Sequence, residues 1–274
     1  MRRRLRCRHL IVAGFYPALL LMTACATQQP LSIHPQAPVS SAGKFLADRD
    51  RILTSLQTAA VMEYTGPHGH LKARERITVR RPASLRVEAL SPLGVALVVT
   101  ADSNEVAVFD PGKNTIARGP ADAATLDRVA QIPLAPEQAA RLLLALAPNV
   151  EILSAAPASS SEDNGTTTLS YPLRAGGTVQ LALSDGNLLT AVEAAGDGAI
   201  AYEVHYSDYR DIGGVSFPQA IEASFPGTST MIKFRFDQPL VDGPLPDSTF
   251  VLAPGPQTKE LNLGFNLIDE PARG

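Results

Sequence analysis

The sequence contains a long succession of short segments in which apolar and polar residues alternate, each bounded by turn-forming residues. Leu85, Val87 and Ala89, for example, alternate with Arg86 and Glu88. This period of two is typical of a strand that buries one face. Many such segments at short, regular spacing are typical of antiparallel sandwiches and barrels. The pattern therefore predicts a mainly β protein.

The clearest hairpin lies between residues 80 and 109, and its turn is Ser-Pro-Leu-Gly at residues 91–94. Its second strand, Val95–Val99, is apolar at every position. We therefore expect apolar surroundings on both of its faces, or an apolar cavity beside it. Proline and glycine favour turns, and a leucine between them has no core to enter. We expect Leu93 to be exposed at the hairpin tip.

Three segments have helical periodicity instead: Gly43–Gln57, Asp122–Ala130 and Pro136–Leu146. The last two interrupt the run of strands, which indicates a strongly curved sheet whose concave face they cover. The fold class that we predict is mainly β (α+β), with one curved antiparallel sheet and a helical lid.

The remaining segments have turn and strand signals. We predict a strand at Val150–Leu153, a loop at Ala155–Gly165 and a single strand at Val215–Phe225. The chain from Leu240 is proline-rich and extended. We expect Phe250 and Leu252 to pack on the sheet edge, and a short last strand at Lys259–Leu263.

The N-terminus has the features of a bacterial lipoprotein signal. Five arginines among the first eight residues precede the apolar segment Leu10–Met22, and Thr23-Ala24-Cys25 follows. Small residues before a cysteine resemble a lipobox, in which the cysteine is lipidated and becomes the first mature residue. The alternative is an ordinary secretory signal with an incidental cysteine. We predict a signal peptide at residues 1–24 and lipidation of Cys25.

The segment after Cys25 is rich in Pro, Ser and Gln, so residues 25–41 are predicted to be the lipidated cysteine and a flexible tether. Residues 42–274 are then a single domain with a proline-rich C-terminal tail. Several acyl chains on the cysteine would anchor the protein stably. In Lol-sorted lipoproteins, an aspartate after the cysteine often retains the protein at the inner membrane. Ala26 therefore implies anchoring at the periplasmic face of the outer membrane.

Charge and motifs argue against several classes of function. The net charge of −3 and a pI near 6.0 give no basic footprint, so we expect no nucleic-acid partner. The sequence has no nucleophile elbow, phosphate loop, dinucleotide fingerprint or paired zinc-ligand motif. His68 and His70 could hold a metal, but no third ligand is evident nearby and a solvated turn is the simpler interpretation. We expect no catalytic residues, metal or cofactor, and an esterase is the weakest alternative.

Leu85–Asp110, with the 91–94 turn between two strands, resembles the LolA/LolB family of lipoprotein carriers and receptors. Ile132-Pro133-Leu134 and the leucine-rich segment at 142–148 resemble the same family at a similar interval. The resemblance covers about residues 42–236. It implies an unclosed antiparallel half-barrel with a helical lid, whose cavity accepts lipoprotein acyl chains from a periplasmic carrier.

The same resemblance implies that Pro92, Leu93 and Gly94 form a loop that helps insert cargo into the membrane. The chain departs from LolB in having no tryptophan and in its tail after Pro239. That tail is more similar to the soluble carrier LolA and to other lipoproteins of this fold.

Strand parity and helical spacing place seven side chains towards the expected cavity. The predicted lining residues are Met62, Tyr64, Val79, Val87, Leu97, Leu142 and Leu146. The alternative is that they pack on each other as a dry core. Glu75 falls on the same apolar strand face, where a buried carboxylate must be paired or neutralised. A rim position or a bulge is the simpler interpretation of Glu75.

Two functions are compatible with these features. The first is an outer-membrane lipoprotein that binds lipoprotein acyl chains in its cavity and helps insert them into the outer membrane. The alternative is a structural or envelope-assembly lipoprotein that acts through protein contacts without lipid transfer.

Overall fold

A computed structural model of the protein describes residues 37–253 and 255–263. The predicted signal peptide, the lipidation site Cys25 and most of the predicted tether lie outside these residues. In the part of the chain that is described, no helix is both long enough and apolar enough to cross a membrane.

The described residues form sixteen strands and three α-helices. The helices are α1 (Ala37–Ile52), α2 (Ala123–Ala130) and α3 (Pro136–Leu143). The strands are β1 (Ser55–Gly66), β2 (Gly69–Arg80), β3 (Ser84–Ser91), β4 (Gly94–Ala101), β5 (Glu105–Asp110), β6 (Thr115–Pro120), β7 (Ser159–Asp163), β8 (Thr166–Pro172), β9 (Thr178–Ser184), β10 (Asn187–Ala194), β11 (Ile200–Ser207), β12 (Arg210–Ile212), β13 (Val215–Phe217), β14 (Ala220–Phe225), β15 (Thr230–Val241) and β16 (Lys259–Asn262). Short 3-10 helices lie at Val150–Ser154, Pro226–Thr228 and Asp247–Phe250.

One sheet contains 14 of these strands in the order β16-β6-β5-β4-β3-β2-β1-β15-β14-β11-β10-β9-β8-β7. Pairing is antiparallel throughout except between β16 and β6, which are parallel. The edge strands β7 and β16 do not pair with each other, so the sheet is curved but unclosed. β12 and β13 form a separate two-stranded hairpin. The predicted mainly β fold with an unclosed antiparallel half-barrel is confirmed.

Alternation of apolar and polar residues explains why these segments are strands. In β9, Val179, Leu181 and Leu183 are buried, and the residues between them are not. The turn from β9 to β10 is Asp185-Gly186, with φ of 50° and 71°. Positive φ at both central residues suits the twist of a two-residue hairpin, which is why Asp-Gly is a strong hairpin signal.

The two helices predicted to interrupt the strands lie on the concave face. α2 begins after Asp122, whose side chain accepts a hydrogen bond of 2.8 Å from the backbone N–H of Thr125. α3 begins with Pro136, and its buried side chains belong to the same core as β1, β2 and β3. The capping Asp122 stabilises the start of α2, and Pro136 in the first turn stabilises the start of α3. Together they form the helical lid.

Ion pairs between Asp50 and two arginines tie α1 to the lid. Arg141 of α3 is almost fully buried, donates to Asp50 of α1, and also donates to the carbonyl of Ala147 at 2.6 Å. Arg81 donates to the other oxygen of Asp50 at 2.7 Å. Buried charges require such partners, because an unpaired one loses its solvation without compensation. The network therefore fixes the position of α3 above the sheet.

The C-terminal tail packs on the convex face of the sheet. Leu252 is buried against Val98, Ala107 and Ile116, and β16 continues the sheet beside β6. Leu252 thus packs on the sheet as expected, but on its convex face instead of its edge. The short last strand is confirmed as Lys259–Asn262. Val98 faces this tail, whereas the neighbouring positions of β4 face the concave side. Val98 is buried beneath the tail, whereas Leu97 and Val99 on the concave side are partly accessible. The apolar sequence of Val95–Val99 therefore has a different cause on each face of the strand.

Charged side chains hold the tail in place. Arg80 lies 4.9 Å from the ring centroid of Phe250 and forms an ion pair of 2.7 Å with Asp247. Arg118 donates to the carbonyl of Leu252 at 2.7 Å. Contacts of an arginine with an aromatic face and with a carbonyl at this distance are favourable.

The first predicted helix had the wrong boundaries. α1 begins at Ala37, so the tether prediction is wrong for residues 37–41, and it ends at Ile52 instead of Gln57. Residues from Ser55 onward pair with β2, and from Leu56 with β15, and this tertiary pairing outweighs their local helical pattern. Strand β1 therefore begins at Ser55, several residues earlier than the alternation of apolar and polar residues indicates.

Three other segments also differ from prediction. Val150–Ser154 is a 3-10 helix instead of a strand. The predicted loop at 155–165 contains β7, a fully exposed edge strand of polar residues that pairs with β8. Val215–Phe225 is divided into β13 and β14 around Pro218, since proline has no N–H for a sheet hydrogen bond.

Candidate functional site

A cavity of about 350 Å³ lies between the concave face of the sheet and the lid. Strands β1 to β4 and β15 form its wall, and α2, α3 and the segment between them cover it. Its lining is almost entirely apolar, with side chains such as Val99, Ile232, Phe234 and Leu126. Its volume lies within the range of about 300–1,000 Å³ that is common for small-molecule sites.

Side-chain exposure along the cavity wall rises in one direction. Ile77 is 1% exposed, whereas Leu71, on the same face of β2, is 54% exposed. On β4, Ala101 is buried and Leu97 is partly accessible. The accessible end is the one that carries the β1–β2 and β3–β4 turns. The cavity therefore opens beside these turns and meets the dry core at its other end.

Four of the predicted lining residues do line this cavity: Met62, Tyr64, Val87 and Leu97. They occupy alternate positions on β1, β3 and β4, so their side chains point to the same face of the sheet. The structure brings them together because these strands are neighbours in an antiparallel meander.

The other three predicted lining residues, Val79, Leu142 and Leu146, belong to the buried core. Val79 lies beyond Ile77, at the closed end of the wall. On α3, the residues that face the cavity are Ala139 and Leu143, which are one helical turn apart. Leu142 points elsewhere, and α3 ends before Leu146, so helical spacing does not apply to that residue.

Sequence reasoning missed the contribution of β15. Ile232 and Phe234 line the cavity because β15 pairs with β1, placing Phe234 opposite Met62 and Ile232 opposite Tyr64. The two strands are far apart in the sequence. Alternation within β15 identifies which residues share a face, but no local signal identifies its neighbour.

Glu75 places a carboxyl group in the otherwise apolar wall of the cavity. It lies within a regular ladder, opposite Ala60 on β1 and Ala89 on β3, so the interpretation as a rim position or bulge is wrong. It is 5% exposed, and its Oε2 atom has no hydrogen-bond partner within the described part of the chain. Burial raises the pKa of Glu75 to about 7, because a low-polarity environment disfavours the charged form. The carboxyl group is therefore substantially neutralised instead of paired.

The tip of the β3–β4 hairpin exposes Leu93 completely. The hydroxyl of Ser91 accepts a hydrogen bond from the Leu93 N–H at 3.2 Å and donates to the Gly94 carbonyl at 3.0 Å. Gly94 has a φ of 117°, a conformation that favours glycine. The turn is thus held by its own hydrogen bonds, and Leu93 projects as the sequence led us to expect.

The two histidines of the β1–β2 turn lie at the same end of the sheet. His68 lines the cavity mouth, and the His70 ring lies 3.1 Å from the hydroxyl of Thr65. Within residues 37–253 and 255–263, no group of three or more His, Cys, Asp or Glu side chains could hold a metal ion.

Comparison with known proteins identifies the fold. No protein-family profile and no curated protein sequence matches the chain. Among solved structures, a LolA superfamily protein from Nitrosomonas europaea matches with a TM-score of 0.54 and 14% identity, over 77% of this chain and 97% of that protein. A putative outer membrane lipoprotein-sorting protein domain from Vibrio parahaemolyticus matches with a TM-score of 0.54 and 9% identity, over 78% and 94% of the two chains.

A DUF1329 family protein from Desulfovibrio piger gives a similar match, with a TM-score of 0.54 and 11% identity, over 78% of this chain and 97% of that one. At such identities the likeness concerns the backbone arrangement alone. The chain has the fold of the LolA superfamily.

Proposed function

We propose that the protein is an outer-membrane-anchored lipoprotein that binds lipoprotein acyl chains in its cavity and helps insert them into the outer membrane. The observation that carries this proposal is an apolar cavity whose open end lies beside a turn with a fully exposed leucine. The fold also occurs in a protein described as an outer membrane lipoprotein-sorting domain. The proposed role involves no catalysis.

The cavity provides the binding energy for an acyl chain. Each methylene group that leaves water for apolar surroundings contributes about 0.8 kcal/mol. Accessible side chains such as Leu97 and Val87 receive the chain, while the buried closed end of the wall keeps the sheet in shape. In this proposal a periplasmic carrier delivers the acyl chains to the open end.

The exposed tip orients the cavity towards the membrane. Lipidation of Cys25 would anchor the protein, and the tether would let the domain move above its anchor. Burying one leucine side chain contributes roughly 1.5–3 kcal/mol, which is too little to anchor a protein and enough to favour one orientation. Insertion of Leu93 would place the cavity mouth at the lipid surface, where the acyl chains leave.

Leu93→Glu tests this proposal directly. The variant should fold and accept acylated protein as the wild type does, because the exposed turn tolerates a polar residue. Transfer of the bound lipoprotein into liposomes should fall sharply, since a charge at the tip opposes insertion. Leu240→Glu is the matched control, because Leu240 is also an exposed leucine but lies near the other end of the long strand β15.

Two results would contradict the proposal. The first is transfer at the wild-type rate by folded Leu93→Glu. The second is an equal loss of transfer in Leu240→Glu, which would indicate a general effect of surface charge. Mass spectrometry of lipid that co-purifies with the wild-type protein separates lipid binding from the alternative, a structural lipoprotein that acts through protein contacts.

A further inference from the structure

The cavity wall contains two buried polar atoms without hydrogen-bond partners in the described residues. They are Oε2 of Glu75 and the hydroxyl oxygen of Tyr64, both on the lining of the same cavity. Buried polar groups are nearly always hydrogen-bonded, and one that is not destabilises the fold. A cavity for hydrocarbon alone would be more stable with an aliphatic side chain at position 75. The exception requires an explanation.

The described residues around Glu75 provide no hydrogen-bond partner for its Oε2 atom. Its cross-strand neighbours are Ala60 and Ala89, whose methyl groups are short and apolar. The adjacent arginines of β2 point to the opposite face, where Arg76 pairs with Glu88 at 3.0 Å. Glu75 and Ala89 both line the cavity, so the side chain of Glu75 borders the space within it.

No cationic side chain faces Glu75 from any element that lines the cavity in the described residues. The titratable residues of the lining are Tyr64 on β1 and His68 in the β1–β2 turn, besides Glu75 itself. The lining residues from β3, β4, β15, α2 and α3 are apolar, and Gln131, after α2, is polar but uncharged. A molecule within the cavity is therefore the available partner for the carboxyl group.

We propose that Glu75 determines the ligand specificity of the cavity: its neutral carboxyl group donates a hydrogen bond to a carbonyl oxygen of the bound lipid. The inference rests on the proposed function and adds a polar contact to an otherwise apolar site. The carbonyl can belong to an ester, as in a glycerolipid or a lipoprotein, or to the carboxyl group of a free fatty acid.

The protonation state of Glu75 agrees with this role. Burial raises its pKa to about 7, so the neutral form, which can donate, is abundant at and below neutral pH. An apolar ligand displaces water from the cavity and favours the neutral form further. Ionised Glu75 can only accept hydrogen bonds, so it offers nothing to a carbonyl oxygen.

Three matched probes test the inference: pyrene-labelled dodecanoic acid, its methyl ester, and dodecylpyrene, which has no carbonyl group. Dissociation constants are measured by fluorescence with the delipidated protein at about pH 6 and at about pH 8.5, on either side of the pKa of about 7. The ratio of hydrocarbon to ester dissociation constants reports the contribution of the carbonyl. The free acid shows whether a carboxyl group is preferred to an ester.

The variants are Glu75→Gln and Glu75→Leu. Glutamine keeps an uncharged donor, so we expect it to bind the ester more tightly than the hydrocarbon at both pH values. Leucine has no donor, so its preference for the ester should fall by about two- to tenfold, the range that one net hydrogen bond supplies. Wild type should match glutamine at low pH and lose the preference at high pH.

His68→Gln is the control for the pH dependence, because His68 also lines the cavity and has an imidazole side chain. The wild-type pH dependence should persist in this variant. Equal ester preference in wild type and Glu75→Leu would overturn the inference, as would loss of the pH dependence in His68→Gln; in both cases lipid binding itself would stand. If the wild-type protein binds none of the three probes, the proposed function fails as well.

Discussion

Glu75→Gln should stabilise the protein, and the gain should grow with pH. The pKa of Glu75 is raised by burial from its ordinary value of 4.5 to about 7. At about 1.36 kcal/mol per pKa unit, this difference corresponds to roughly 3 kcal/mol. The side chain is almost fully buried, so solvent screening reduces this amount little.

The sign follows from proton binding. Between about pH 4.5 and pH 7, Glu75 retains its proton in the folded state and has lost it in the unfolded state. The folded state therefore binds more protons, and its stability falls as pH rises through this window. Glutamine does not titrate, so the variant lacks this loss. The advantage of Glu75→Gln should increase by roughly 3 kcal/mol from about pH 4 to pH 8.

Urea unfolding of delipidated protein, followed by circular dichroism across this pH range, measures the effect. Bound lipid must be removed, because a ligand that binds the folded state adds its own stabilisation. Glu63→Gln is the matched control: Glu63 lies on neighbouring β1, and its pKa is lowered, chiefly by a hydrogen bond from Lys72. Wild-type and Glu75→Gln stability curves that run parallel over the whole range would refute the reasoning.

Four further substitutions test other parts of the protein. Leu146→Ala should destabilise the fold by about 2–5 kcal/mol, whereas Leu97→Ala should cost less stability and weaken the binding of a fluorescent fatty acid; equal costs with unchanged binding would contradict this distinction. Asp50→Asn leaves buried Arg141 without its anionic partner, and urea unfolding should show a loss of about 3–5 kcal/mol. Cys25→Ala should abolish incorporation of radioactive palmitate and release a folded protein from the membrane, and label retained by the variant would contradict the lipobox.

Features that depend on neighbouring residues in the sequence were predictable. Alternation located most strands, and Asp185-Gly186 marked a turn that has the expected positive φ values. Asp122 and Pro136 marked the starts of the two lid helices. Each of these signals acts through the backbone of a few adjacent residues, so tertiary contacts changed them little.

Features that depend on distant pairing were not predictable. β7 has no apolar residue, and its pairing with β8 alone makes it a strand. Phe234 lines the cavity only because β15 joins β1. On α3 the sequence predicted that Leu142 lines the cavity, whereas the adjacent residue Leu143 does. Successive residues of a helix are rotated by about 100°, and the sequence does not specify which face of the helix meets the sheet.

The apolar strand β4 shows why a uniformly apolar pattern could not be assigned to one cause. Val98 is covered by Leu252 of the tail, whereas Leu97 and Val99 face the cavity. The tail thus removes the convex face of β4 from water, and its apolar residues there need no ligand to cover them. Those on the concave face remain partly accessible. One strand therefore combines a face that packs against the tail with a face that lines the cavity.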